Sequence, residues 1–329
     1  MNWALQSASD AWRIGSPSSA RQRIVLTAVV TAVSFVCAAW LIGRPGYASD
    51  FAHYWHGARV LIDGGNPYRS PLPSDVNPGL DPALYPLPAY LLLAPFALLP
   101  LGVAGGLFMA IGAGLAALGV ARTGLARAPV FLSAPFLLAL SLGQWSPLLL
   151  GATLLPWASW VMVAKPNLGI ATWLARPDWR TAAAIAVVLV VSLALSPEWP
   201  REWIDNVSHR EEKFIPLFRP GGFVLLAAAL AWRRAEGRLL LVLAAVPQGL
   251  FFSDQLLLWL VPRTLRQSLL LSIFSVMSFL AWQAGLETGD YYVREAVPFA
   301  SALYFAALAI LLSNWWSDRQ ASSRRAPAA

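Results

Sequence analysis

The sequence predicts an all-α integral-membrane protein, a polytopic helical bundle of about 8–10 spans that includes broken or re-entrant helices, at about 20 apolar residues per crossing. Three observations predict it. Only 12% of the 329 residues are charged, against roughly 25% in a soluble domain, while 57% are hydrophobic and the mean hydropathy is +0.57. Apolar runs recur at 24–42, 86–121, 181–196, 217–232, 267–286 and 297–316. The basic residues sit between these runs rather than on one face, so the net charge of +7 reads as membrane topology and not as a nucleic-acid surface.

Residues 1–23 form an N-terminal segment carrying Arg13, Arg21 and Arg23, followed by a run too long for a secretory signal and therefore a retained anchor. The single cysteine, Cys37, lies in that run as a packing residue. With the N-terminus in the cytoplasm, that side holds 16 of the 24 basic and 4 of the 17 acidic residues. The grouping keeps Lys165 with Arg176 and Arg180 as a cytoplasmic anchor. Residues 24–316 then make one transmembrane domain with outer loops at 43–85 and 197–216, and 317–329 a cytoplasmic, disordered tail. The expected location is the inner (plasma) membrane, with both termini cytoplasmic and the site facing the periplasm or exterior.

Within the first outer loop, residues 50–63 suit a helix that places Asp50, His53 or Tyr54, and Gly57 along one face. Asp50 is then either a functional carboxylate at the membrane edge or, like Ser49, a helix cap. Asn66-Pro67-Tyr68 reads as a turn, and 69–85, with four prolines, as an ordered extended loop. The run 86–121 is too long and too rich in proline at its start for one helix. It predicts a short helix, a break near 99–102, and a full span. A short amphipathic helix fits 197–216. Pro247 and Ser253-Asp254 divide 239–262 into a broken or re-entrant pair, which is tolerated only where protein or water satisfies the backbone.

Asp50, His53 and His56 stand at i, i+3 and i+6, which turns His56 away, so no metal site is expected. Gln144 is either a polar contact between helices or a ligand for sugar or phosphate. Asp254 is an acid in an apolar setting, with functional and capping roles both open. His209 reads as a solvated loop residue.

Four blocks in order carry a resemblance: "SDFxxYWxGAxxLxxGxNPY" from Ser49, "YPLPAYLLLAPFALLP" at 85–100, "LGQWSPLLL" at 142–150 and "AKPNL" at 164–168. Together they resemble glycosyltransferase family 87, the polyprenyl-phosphate-sugar-dependent membrane enzymes of the GT-C superfamily, which include mannosyltransferases of cell-envelope glycolipids. The resemblance implies a GT-C-like bundle with a functional first outer loop and Asp50 as general base. It implies transfer of a sugar, mannose by analogy, from a polyprenyl-phosphate donor to a glycolipid or glycan acceptor, with inversion. The substrate-binding candidates are His53, Tyr54, Arg59, Asn66, Tyr68, Gln144, Lys165 and Asp254; Arg69, Arg201, Arg210 and Lys213 are further cations for the leaving phosphate. The expected partners are membrane lipids, donor and acceptor, without nucleic acid; no cofactor or metal is expected. A transporter or lipid translocator, and a GT-C-like assembly protein without catalysis, are the competing readings.

Overall fold

The structure is a computed structural model that describes residues 12–14, 18–70, 84–208, 214–249, 252–285 and 296–325. Among them there are helices and no strand, only an isolated antiparallel bridge between Phe214 and Gln248. The polytopic helical class is thus as expected.

Helix α1, Ala20–Ile42, starts from a capping box in which Ser19 accepts from the Gln22 amide and the Gln22 side chain accepts from Ser19 N–H. It exposes Val25, Val29, Val33, Val36 and Trp40, an apolar face suited to lipid. Its other face packs antiparallel on α4, Leu101–Thr123. Ser18 donates to the Ala121 carbonyl at one end, and Gly43 lies against Gly102 at the other. Small residues permit this approach: Gly106 meets Phe35 and Ala39, and Gly114 meets Thr31. A second side of α4 takes α6, Ser146–Leu154, running parallel, with Gly112 on Leu148 and Gly151 on the backbone at Leu115 and Ala116. The pillar is therefore α4, buried along most of its length.

The predicted break at 99–102 is present: α3, Leu87–Ala97, ends before Pro100, and α4 begins at Leu101. Between α1 and α3 lies α2, Asp50–Ile62, capped by the Ser49 hydroxyl, which accepts from Ala52 N–H. It packs on α3 at the end of the bundle where α1 finishes, here termed the loop end. Arg127 marks the opposite, basic end. It is buried, donates to the carbonyls of Trp12 (2.5 Å) and Leu260 (3.0 Å), and lies within electrostatic range of Glu236 and Arg263. There Arg263 also pairs with Glu236 and Asp318, and Arg234 with Asp318.

From the basic end the chain makes three excursions toward the loop end and back. The first climbs through a 3₁₀ segment, Leu125–Leu132, and α5, Ala134–Leu142, and descends in α6. It turns at Gly143, which adopts φ 71° and presses on Phe51 and Ile42 so closely that no side chain would fit. The second climbs in a 3₁₀ segment, Pro156–Ala164, turns at Lys165-Pro166, and descends in α7, Pro166–Ala175. The third climbs in α10, Ala235–Ala245, passes Pro247, and descends in a 3₁₀ segment, Ser253–Leu260. A 3₁₀ leg rises about 2.0 Å per residue against 1.5 Å in an α-helix, so each short leg reaches deeper than its length suggests. The split of 239–262 is as read from sequence.

The remaining elements are α8, Trp179–Leu195, the amphipathic α9, Trp199–Ser208, a 3₁₀ segment, Gly222–Ala231, and the long α11, Leu265–Gly285, and α12, Val297–Arg325. Among the described residues four helices, α1, α4, α11 and α12, are long and apolar enough to cross a membrane. The number rises to six if two bent pairs, 125–142 and α8 with α9, each count as one. The expected 8–10 spans are not reached, because proline and glycine divide the other apolar runs into legs of eight to eleven residues. Residues 317–325 continue α12, where Asp318 pairs with Arg234 and Arg263, so that part of the tail is ordered. In the N-terminal segment Trp12 is a core residue. The proline-rich 71–83 lies outside the described residues.

Replacing Gly151 with valine should separate α6 from α4 and cost about 1–3 kcal/mol. Thermal unfolding in detergent micelles should show a lowered midpoint, whereas valine at exposed Leu193 of α8 should leave it unchanged.

Candidate active site

Asp50 occupies the first position of α2, where the helix N-terminus favours a carboxylate. Ser49, not Asp50, is the cap, which leaves the Asp50 carboxylate available for other contacts. It is half-buried and accepts a hydrogen bond from the Gln144 side-chain amide at the tip of the first excursion. The tight turn at Gly143 is what carries Gln144 over the start of α2.

Beside this pair stands an aromatic group from three blocks. The Tyr54 and Tyr85 hydroxyls are 2.9 Å apart, and the Trp145 ring lies 6.0 Å from Tyr54, 6.2 Å from Tyr85 and 5.0 Å from Phe108. Two buried polar atoms here lack a partner among the described residues: Gln144 Oε1 and Trp145 Nε1.

The other two excursions meet behind Tyr85. Lys165 Nζ lies 2.5 Å from Asp254 Oδ1, with the lysine side chain 11% and the aspartate 1% exposed. Asp254 Oδ2 accepts from Gly249 N–H at 2.8 Å. Lys165 is also within electrostatic range of Tyr85 and Asp50. The expectation of a cytoplasmic anchor at Lys165 is therefore corrected. The second excursion carries it away from Arg176, whose neighbour Ala175 accepts from Arg238 at the basic end, and burial then requires a counter-charge. A buried amide network extends the site: Gln248 Oε1 accepts from the Tyr304 hydroxyl (2.6 Å) and from Gln255 Nε2 (3.2 Å).

Other candidates serve the scaffold. Arg59 donates to the Ala97 carbonyl and pairs with Asp63, fastening α2 to α3. Asn66 folds its own turn by accepting from Tyr68 N–H and donates to Glu202 of α9 at 2.8 Å. Tyr68 is buried, donates to the Tyr85 carbonyl, and has its phenol pushed up by burial and by neighbouring Tyr90 and Glu202, so it stays a neutral donor. His53 is half-buried one turn beyond Asp50. Arg69 pairs with Glu202 at 2.5 Å. Arg201 lines a cleft of about 410 Å³ with Tyr68, Arg69, Glu198, Glu202, Asp205 and Asn206. Arg210, Lys213 and His209 lie outside the described residues. Among the described residues no group of His, Cys, Asp and Glu could hold a metal ion.

The sequence reading passed over Tyr85, Trp145, Glu202, Gln248, Gln255 and Tyr304. The two glutamines carried a usable signal, amides inside apolar runs, the pattern that singled out Gln144. Glu202 carried none, since its partners lie more than 130 residues away.

Comparison with protein-family models, with curated proteins and with solved structures yields no match. What the arrangement can do follows from its chemistry: a reachable carboxylate held by an amide, phenols beside it, and a buried cation behind, all at one end of an apolar bundle.

Glu202 joins α9 to the first outer loop. Glu202→Gln should speed amide hydrogen exchange at 66–70 severalfold while lowering overall stability by no more than about 1–2 kcal/mol, both readable in one exchange and melting series.

Proposed function

We propose that the protein is a membrane glycosyltransferase that moves a sugar from a polyprenyl-phosphate donor to a hydroxyl of a cell-envelope lipid or glycan, with Asp50 as general base. One observation carries this reading. Asp50, Gln144, Lys165 and Asp254 come from blocks up to 204 positions apart in the chain, and they assemble around one aromatic cluster at the loop end. A structural cap would need none of that company.

In this mechanism Asp50 accepts the proton of the acceptor hydroxyl as its oxygen forms a bond to the anomeric carbon. The bond from that carbon to the phosphate oxygen breaks, its electron pair leaves with the phosphate, and the configuration inverts. Gln144 orients the carboxylate, and the positive end of α2 favours a negative group at this position. Tyr54, Tyr85 and Trp145 offer ring faces and polar edges to a sugar. The donor's isoprenoid tail remains in the lipid alongside the bundle, which matches a site built at the end of an apolar body. By analogy with family 87 the sugar is mannose, and the site faces the periplasm or exterior of the inner membrane.

A buried ion pair inside a membrane bundle is also what an ion-coupled translocator would use, and Lys165–Asp254 is the observation favouring that second reading.

Purified protein in lipid, offered labelled polyprenyl-phosphate mannose and a membrane lipid extract, should form labelled glycolipid. Asp50→Asn should lower the rate about 10²- to 10⁴-fold with the fold intact. Equal rates in both proteins would remove Asp50 from the chemistry, and donor movement across the bilayer without transfer would favour the translocator.

A further inference from the structure

Asp254 already sits as a bound anion would. Its two oxygens take the Lys165 ammonium at 2.5 Å and the Gly249 backbone N–H at 2.8 Å, a cation and an amide converging on one small negative group. Lys165 directly precedes α7, and its ammonium reaches Asp254 across the tips of two excursions. Gly249 leaves room: a Cβ there would come only to 3.4 Å of the carboxylate. The cradle is also adjacent to the reacting carboxylate, since Lys165 feels both Asp50 and Tyr85.

Phe252, two residues before Asp254, has φ 35°, the one non-glycine residue in the left-handed region among the described residues, and packs on the rings of Phe279 and Trp282. Close to the cradle, Gln255 Oε1 and Trp145 Nε1 are buried without partners among the described residues, so polar capacity remains for a larger ligand.

We propose that Lys165 and the Gly249 amide form a phosphate-binding subsite that Asp254 occupies as an internal stand-in until a ligand phosphate displaces it. The ligand class is a phosphate ester borne by a membrane lipid. This rests on the transferase reading, for which it supplies the seat of the leaving phosphate, and it gives Asp254 a role opposite to that of a binding residue. The phosphate monoester released on transfer carries more charge than the carboxylate and three terminal acceptor oxygens, so it repays the cation better than Asp254 does. Between turnovers Asp254 prevents Lys165 from standing buried and unpaired.

The test is equilibrium binding to the full-length protein in nanodiscs, with fluorescent polyprenyl phosphate as probe and polyprenol and inorganic phosphate as competitors. Wild type is expected to bind the phosphate lipid and to be displaced poorly by polyprenol. Lys165→Met should weaken binding at least tenfold, and Asp254→Asn should tighten it severalfold by removing the stand-in. The double variant Lys165→Met with Asp254→Leu leaves no lone charge, so it should fold and still fail to bind. Weakening by Asp254→Asn comparable to that by Lys165→Met would overturn the stand-in role. Binding that is unchanged in Lys165→Met, or matched by polyprenol, would overturn the subsite. Displacement by inorganic phosphate at millimolar levels would overturn the lipid-borne source in favour of a soluble anion. None of these outcomes depends on sugar transfer: Asp50→Asn should still bind the probe, at least as tightly as wild type, even where it transfers nothing, so a failed subsite and a failed transferase reading give different results.

Discussion

A chain that turns back inside an apolar layer must find a partner for every polar group it frees, and the design of this protein follows from that requirement. Three excursions leave the basic end and return to it, and each tip meets the requirement differently. The first places the Gln144 amide on a carboxylate from the opposite end. The second and third satisfy each other, lysine against aspartate, with the Gly249 amide completing the shell. The polar groups that form the candidate site are thus the groups that allow the tips to exist, so the site is assembled by the same forces that assemble the bundle.

The framework around the tips is built by close approach. In lipid no hydrophobic force draws helices together, and contact has to come from shape. The glycines and alanines of α4 let α1 lie on one flank and α6 on another with backbones nearly touching. That fixes where α1 ends, hence where α2 begins, hence where Asp50 stands. The Glu202 contacts on Asn66 and Arg69, and the Trp203 indole on the Leu84 carbonyl, hold the covering loop against the same frame.

Much of this was legible in the order of residues. Pro100, within Leu-Pro-Leu-Gly at 99–102, announced the break before α4, Ser49 announced the start of α2, and the polar Ser253-Asp254 announced the division of the third excursion. These are local signals, each confined to one turn of chain. The expected 8–10 spans exceed the four to six found among the described residues because hydropathy measures the apolar character of a run and not whether proline or glycine folds it back on itself. Lys165 was misplaced for a related reason. Charge counting assigns a residue to a side by its neighbours in sequence, Arg176 and Arg180, whereas its position was decided by Asp254, 89 residues away. The group around Asp50 was legible in part, Tyr54, Gln144 and Asp254 being evident. Tyr85 and Trp145 carry no signal of their own in the sequence and gain a role only where packing brings them together.

The pairing of α1 with α4 also sets a schedule for biogenesis. Ser18 and Ala121, which bond at one end of that pair, are separated by 103 residues of chain. At about 5–20 residues per second, a ribosome needs roughly 5–20 s to supply the second helix after the first has emerged. Throughout that interval α1 stands in the bilayer without α4. Its valine-rich surface is suited to such a wait, since it carries few groups that require protein company, and the newborn chain is tethered before Gln144, Lys165 and Asp254 have been synthesised.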